Sequence, residues 1–104
     1  MAEERPNPDR SVLEKTREQV KEPELFSVIL LNDDYTTMEF VVQVLEGIFN
    51  KGPAEAFRIM MQVHTQGQGS CGIYPWDIAE TRVSAVHDLA REQGFPLRAI
   101  IEPA

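Results

Sequence analysis

Residues 26–31, Phe-Ser-Val-Ile-Leu-Leu, form an apolar run that stops abruptly at Asn32-Asp33-Asp34, and an apolar stripe of helical spacing begins at Phe40. Branched and aromatic residues in such a run favour a strand. Phe40, Val41, Val44, Leu45 and Ile48 fall on one broad face of a helix. A strand feeding a helix in this way delivers three adjacent polar acceptor side chains to the helix entry, which is a place to hold a cation. Thr36 and Glu39 have the spacing of a capping box, which predicts that Thr36 caps the helix and fixes the geometry of the loop before it.

The composition changes at residue 24. Residues 1–23 have no aromatic side chain, alternate acidic with basic residues and contain Pro6, Pro8 and Pro23. A segment of that kind contributes little to a core and is expected to be a mobile extension. Val12, Leu13 and Val20 support at most a transient helical turn within it. Residues 24–104 are expected to be the folded domain.

Within that domain, residues 25–31 read as the first strand and residues 37–49 as the first helix, closed by Asn50, Lys51 and Gly52. Pro53 suits the first position of a second helix, Glu55 favours its positive end, and the pattern runs through Phe57, Met60 and Val63 to His64. Gly67 and Gly69 are expected to break it. Residues 70–74 form a short strand candidate, and Pro75 opens a third helix through Ile78, Val83, Val86 and Leu89 to about residue 92. Gly94 is the expected C-terminal cap, and residues 97–101 close the domain as a last strand bounded by Pro96 and Pro103. The order βααβαβ predicts an α+β, two-layer domain in which a small, mostly antiparallel three-stranded sheet lies under three helices.

Several function classes are disfavoured. With 104 residues the chain fits one domain, and at that size folding buries roughly two thirds of the surface an unfolded chain exposes, so no staple is needed. Cys71 is alone and cannot form an internal disulfide. The charged start lacks the apolar core of a signal peptide, so a cytoplasmic protein is expected. A net charge of −7 with ten scattered Lys and Arg argues against nucleic acid. No apolar run approaches the roughly 20 residues of a membrane span. A monomer without cofactor or metal is expected.

His64 lies one turn after Met60 and beside Val63 near the end of the second helix, so polar and apolar groups are neighbours there. If that helix packs across the first, His64 faces the Asn32-Asp33-Asp34 loop with Met38, Val41, Met60 and Val63 between them. Three readings compete. A catalytic one makes His64 a base oriented by an aspartate, but Cys71 is a poor candidate nucleophile in a strand beside glycine. In a metal-binding or hydrolytic one, Asp33, Asp34 and His64 are ligands, although no paired-histidine spacing supports it. The third treats the loop as turn chemistry, His64 as a helix-end residue favoured by the dipole, and Met38, Met60 and Met61 as core filler.

Four separated motifs, Asn32-Asp33-Asp34-Tyr35-Thr36-x-Met38-Glu39-Phe40-Val41, Met60-x-x-Val63-His64-x-x-Gly67, Cys71-Gly72 and Ala79-Glu80-Thr81, together with Pro96-Leu97, resemble the ClpS adaptor family over residues 25–102. The resemblance implies a non-enzymatic protein that recognises the free N-terminal residue of a substrate protein, an N-degron. It further implies delivery of that substrate to a ClpA-type AAA+ unfoldase partnered with the ClpP protease. Asn32, Asp33, Asp34 and His64 are then expected to surround the α-ammonium, while Thr36, Met38, Val41, Met60, Val63 and Leu97 line the pocket for a bulky first side chain such as Leu, Phe, Tyr or Trp. Tyr74, Asp77, Glu80, Thr81 and Arg82 match the family's unfoldase-facing surface, and residues 1–23 match its variable tail, engaged by the unfoldase during delivery. Thr37 stands where the family usually has proline, Met61 where leucine is common and Arg82 where lysine is usual, and Trp76 is atypical. These departures bear on the breadth of first-residue preference and on unfoldase affinity, and fit a divergent second paralogue with narrower selectivity.

Overall fold

Val28, Ile29 and Leu30 are buried at three consecutive positions, a pattern that alternation in a one-sided sheet does not give. The computed structural model, which describes residues 23–104, explains it. The elements are β1 (Leu25–Leu31), α1 (Met38–Gly47), α2 (Pro53–Gln66), β2 (Gln68–Pro75), α3 (Trp76–Gln93) and β3 (Arg98–Pro103). β1 is the middle strand of the order β2-β1-β3, paired antiparallel on both sides. Val28 and Leu30 enter the core beneath the helices, and Ile29, on the opposite face, lies between its cross-strand partners Ser70 and Ile100. The expected α+β class and βααβαβ order are both found. The expected N-terminal extension, with Val12, Leu13 and Val20, lies outside the described residues up to residue 22.

The core joins Phe40, Val44 and Leu45 of α1 to Ala56, Ile59 and Val63 of α2, and to Ala79, Val86 and Ala90 of α3. Its helix ends follow local chemistry. Thr37 is extended (φ −74°, ψ 153°) and its hydroxyl accepts the Phe40 N–H at 3.1 Å, so Thr37 rather than Thr36 caps α1. The expected Thr36–Glu39 box is therefore displaced by one residue, because Thr36 is held by the preceding loop. Gly94 (φ 82°) caps α3 as expected, and Phe95 folds back to pack against Phe40, the rings tilted by 40° with centroids 4.8 Å apart.

Several boundaries differ from the sequence expectation: β2 takes in Pro75, so that α3 opens at Trp76, and β3 runs over Arg98–Pro103 rather than 97–101. α1 stops at Gly47 instead of near Phe49, and the chain leaves it through Asn50, which holds a left-handed φ of 56°. The Ile48 carbonyl left open at that end accepts a 2.6 Å hydrogen bond from Arg82 Nη1 of α3. β2 starts at Gln68, directly after the left-handed Gly67 cap of α2 (φ 91°), so Gly69 is a strand residue and not a breaker. It must be small: a Cβ there would lie 3.0 Å from Val63 Cγ2 and 3.4 Å from the Ile59 carbonyl.

Relative to β1, the register of β2 shifts so that Val28 faces Gly72 and Ile29 faces Ser70, leaving Cys71 as the extra residue of a bulge. Beyond the bulge the Tyr74 ring folds across Gly72, with the Arg82 guanidinium 5.5 Å from its centroid. A Cβ on Gly72 would sit 2.5 Å from Tyr74 Oη. Gly72→Ala is therefore expected to displace the ring and lose about 1–3 kcal/mol in denaturant unfolding. Gly47→Ala, with nothing within 4 Å of the new methyl group, is expected to gain about 0.5–1 kcal/mol as an ordinary helix substitution. Equal effects of the two would show that the Tyr74 contact is unimportant.

Candidate functional site

The end of β1 and the end of α2 are joined by a hydrogen bond from the Asn32 N–H to the Gly67 carbonyl, 2.9 Å long. His64, one turn before Gly67, is thereby brought beside the loop that follows β1. The loop itself is organised by Asp33. Its Oδ1 accepts the N–H groups of Tyr35 (2.8 Å) and Thr36 (2.7 Å), and its Oδ2 accepts the Thr36 hydroxyl (2.7 Å). This is the Asx-type turn that short acidic side chains form with their own backbone. Burial pushes the Asp33 carboxyl upward, but the hydrogen bonds from the Thr36 hydroxyl, the Thr36 N–H and the Tyr35 N–H outweigh it and hold its pKa below the ordinary value.

With both Asp33 oxygens committed, Asp34 projects from the loop, exposed, and among the described residues no hydrogen bond or ion pair uses its carboxylate. Asn32, Asp33, Asp34, Thr36, Met38, Val41, Met60, Val63 and His64 line one cavity of about 230 Å³. Val41, Met60 and Val63 are buried and form its apolar floor, while Met38, 42% exposed, stands at its mouth beside Asp34 and His64. The floor comes from α1 and α2, and the polar rim from the loop and the carboxyl end of α2. That end carries the negative pole of the helix dipole and favours a cation. Asn32 and Asp34 offer oxygen acceptors and a neutral His64 offers a ring nitrogen. Chemically, the arrangement suits a ligand whose cationic head lies a bond or two from a compact apolar group.

All the residues expected at the ammonium site are thus gathered, as are five of the six expected in the apolar pocket. Leu97 is not among those lining this cavity. It is buried at the start of the last segment and borders a separate shallow groove with Phe95, Pro96 and Arg98. The turn between Gly94 and Arg98 tucks Leu97 into the common core, a placement that its spacing from the motifs did not reveal.

The surface expected to face an unfoldase divides in two. Asp77, Glu80 and Thr81 are exposed on the first turns of α3. Tyr74 and Arg82 are only half-exposed and are engaged within the chain, the first folded over Gly72 and the second bonded to the Ile48 carbonyl. The role of the Gly67 carbonyl as anchor for Asn32 was missed in the sequence. Its signal was the glycine that ends α2 immediately before a strand.

The competing chemistry finds little support. Cys71 is fully buried and desolvation pushes its thiol up to about 12, so it is no nucleophile. Among the described residues no three His, Cys, Asp or Glu side chains converge as a metal site requires. No described helix is long and apolar enough to cross a membrane.

Comparison with known proteins agrees with this geometry. Residues 21–100 match the family described as ATP-dependent Clp protease adaptor protein ClpS. A ClpS adapter protein from Wolinella succinogenes is 63% identical over 83 residues, covering 80% of this chain and 81% of the relative. Another, from Nitratidesulfovibrio vulgaris, is 53% identical over 85 residues, covering 82% and 85% respectively. Among solved structures, Agrobacterium tumefaciens ClpS2 bound to L-phenylalaninamide superposes with a TM-score of 0.77 at 42% identity, covering 80% of this chain and all of that one. By its matched motifs, its fold and these relatives, the chain belongs to the ClpS family of Clp protease adaptors, which are not enzymes.

Proposed function

We propose that this adaptor binds substrate proteins through a free N-terminal α-amine and a bulky hydrophobic first residue, and delivers them to a ClpA-type AAA+ unfoldase working with ClpP. The observation that carries this reading is the single cavity in which polar acceptors rim a buried apolar floor. L-Phenylalaninamide, the ligand of the structurally similar ClpS2, has the matching form: an α-ammonium one carbon from an aromatic side chain. Charge-assisted hydrogen bonds contribute about 1.5–3 kcal/mol each, and burial of a Leu or Phe side chain about as much again. Less the cost of ordering a peptide end, the sum is about the 8 kcal/mol of a micromolar complex, which suits a protein that must release its cargo. Peptides beginning with Leu, Phe, Tyr or Trp are expected to bind in fluorescence-anisotropy titrations, and acetylation of the amine to abolish binding. Equal affinity of both forms would overturn the reading.

The two aspartates have different tasks. Asp34, Asn32 and His64 accept from the ammonium, whereas Asp33 orders the loop that presents them. Asp34→Ala and His64→Ala are expected to weaken peptide binding by about 1.5–3 kcal/mol each with unchanged thermal melts. Asp33→Ala is expected to weaken binding and also to release the Tyr35 and Thr36 amides to hydrogen exchange. Because the folded-state pKa of Asp33 is depressed, its contribution is fully present above the ordinary carboxylate value and is lost as pH falls through the lower folded value. The Tyr35 and Thr36 amide resonances should therefore hold their positions at pH 5 and move only below about pH 4. Movement at higher pH would contradict this account of the loop.

For the unfoldase, Asp77, Glu80 and Thr81 form the exposed contact, and Tyr74 with Arg82 shape it from behind. Residues 1–23 serve as the tail that the unfoldase engages. The protein acts as a cytoplasmic monomer. Glu80→Arg is expected to weaken binding to the unfoldase N-terminal domain at least about tenfold, as charge reversal at a small polar contact does, while peptide affinity stays the same. Loss of peptide binding in that variant, or unaltered unfoldase binding, would remove α3 as the contact.

A further inference from the structure

A groove of about 830 Å³ follows α3 beside the outer edge of β3 and includes Trp76, Val83 and Ile101. A second, about 400 Å³, lies near the turn at Phe95 and Pro96. His87 of α3 lines both. The outer edge of β3 explains what it does there. The Ala104 N–H donates inward to the Leu25 carbonyl at 3.0 Å, so by the two-residue period of a strand Ala99, Ile101 and Pro103 turn their backbone groups outward. Pro103 has no N–H to offer. The Ala99 N–H donates to His87 Nε2 at 3.1 Å. Ile101 is left as the outward donor of this strand without an acceptor among the described residues.

A backbone N–H can donate to Nε2 only when the imidazole is neutral and carries its proton on Nδ1. The imidazolium has an N–H at both positions, so proton uptake sets two donors against each other. Ala99 is only 4% exposed, so water does not readily take the place of the lost acceptor. The charged groups that line the two grooves are Glu80, Asp88 and Arg91 on α3 and Arg98 at the start of β3. Asp88 accepts from Arg91 at 3.2 Å, which balances that pair. Arg98 adds a positive charge on the β3 side, with no ion-pair partner among the described residues.

We propose that His87 is a proton-operated latch on the outer edge of β3. Neutral, it covers the Ala99 N–H and ties α3 to the strand; protonated, it leaves, and Ala99 and Ile101 become two outward donors in succession on an opened edge. Imidazole is the side chain that ordinarily changes charge between about pH 5 and 8. The latch stands apart from the peptide cavity, which α1, α2 and the loop after β1 build, and the inference rests on backbone geometry rather than on the adaptor reading. It bears instead on α3.

The test is amide hydrogen exchange on the full chain, corrected for the intrinsic pH dependence of exchange, with imidazole nitrogen shifts recorded alongside. Between about pH 8 and pH 5, protection of the Ala99 amide is expected to fall about tenfold or more, while Ile100, whose amide faces β1, changes far less. At the alkaline end the His87 ring should be the Nδ1–H tautomer. In His87→Gln, whose amide oxygen accepts at every pH, the Ala99 protection should no longer depend on pH. Flat protection in the unsubstituted chain, an Nε2–H tautomer, or a Gln variant that titrates like the parent would each overturn the latch. Should that variant not fold, the pH series and the ring shifts of the unsubstituted chain decide alone.

Discussion

The hydrogen bond from the Asn32 N–H to the Gly67 carbonyl closes the loop between the first strand and the second helix, and the site depends on that closure. It carries the β1–β2 ladder one step past the Leu31–Gln68 pair, and so holds Asn32 and Asp34 beside the end of the helix that carries His64. Gly67 makes the bond possible twice over. Its left-handed φ of 91° ends α2 and turns the chain directly into β2, and its carbonyl is left facing the strand that arrives beside it. Gly69, two residues on, then lets β2 run close against Val63 and Ile59. The helix that supplies the apolar floor and the strand that neighbours the polar loop are thus fixed by one short stretch of chain.

Adjacent aspartates in such a loop face a physical conflict, since two carboxylates directed at one point repel each other. The chain avoids it by turning Asp33 inward, onto two backbone N–H groups and a hydroxyl, and leaving Asp34 outward. The inward carboxylate gives the loop its shape and the outward one keeps its charge available. Thr36 is taken up by the same turn, which is why the helix cap falls to Thr37. A proline at that position would keep the fixed φ but has no hydroxyl with which to accept the Phe40 N–H.

Much of this was legible in the sequence because it is local. The strand run, the helical stripes, Pro53, Gly67 and Gly94 each carry their meaning within a few residues, and four motifs in order led to the family. What was not legible depends on distant partners. Leu97 belongs to the core because the turn after Gly94 directs it there, and nothing near it in sequence says so. Arg82 is expected from the sequence only as part of an unfoldase-facing surface, and nothing near it shows that it also bonds to the carbonyl of Ile48, 34 residues earlier, where α1 leaves a polar group open. Whether Thr36 or Thr37 caps the helix turned on which of them Asp33 had already captured.

Selectivity in a cavity of this kind comes from requiring two weak conditions at once. The acceptors Asn32, Asp34 and His64 lie at the exposed rim, where the dielectric constant is high and each contact is modest. The floor of Val41, Met60 and Val63 is buried and apolar, but about 230 Å³ admits only one side chain. For an N-terminal residue seated as proposed, neither part alone reaches useful affinity: a free amine on a small residue leaves the floor empty, and a buried aromatic from mid-chain brings no cation to the rim. An internal segment has the second difficulty in a worse form, because its peptide N–H would meet acceptors arranged for an ammonium and would leave Asp34 uncompensated. On the proposed function, a requirement for a chain end would follow from the closeness of rim and floor, which a residue carrying both its charge and its side chain on one carbon can span.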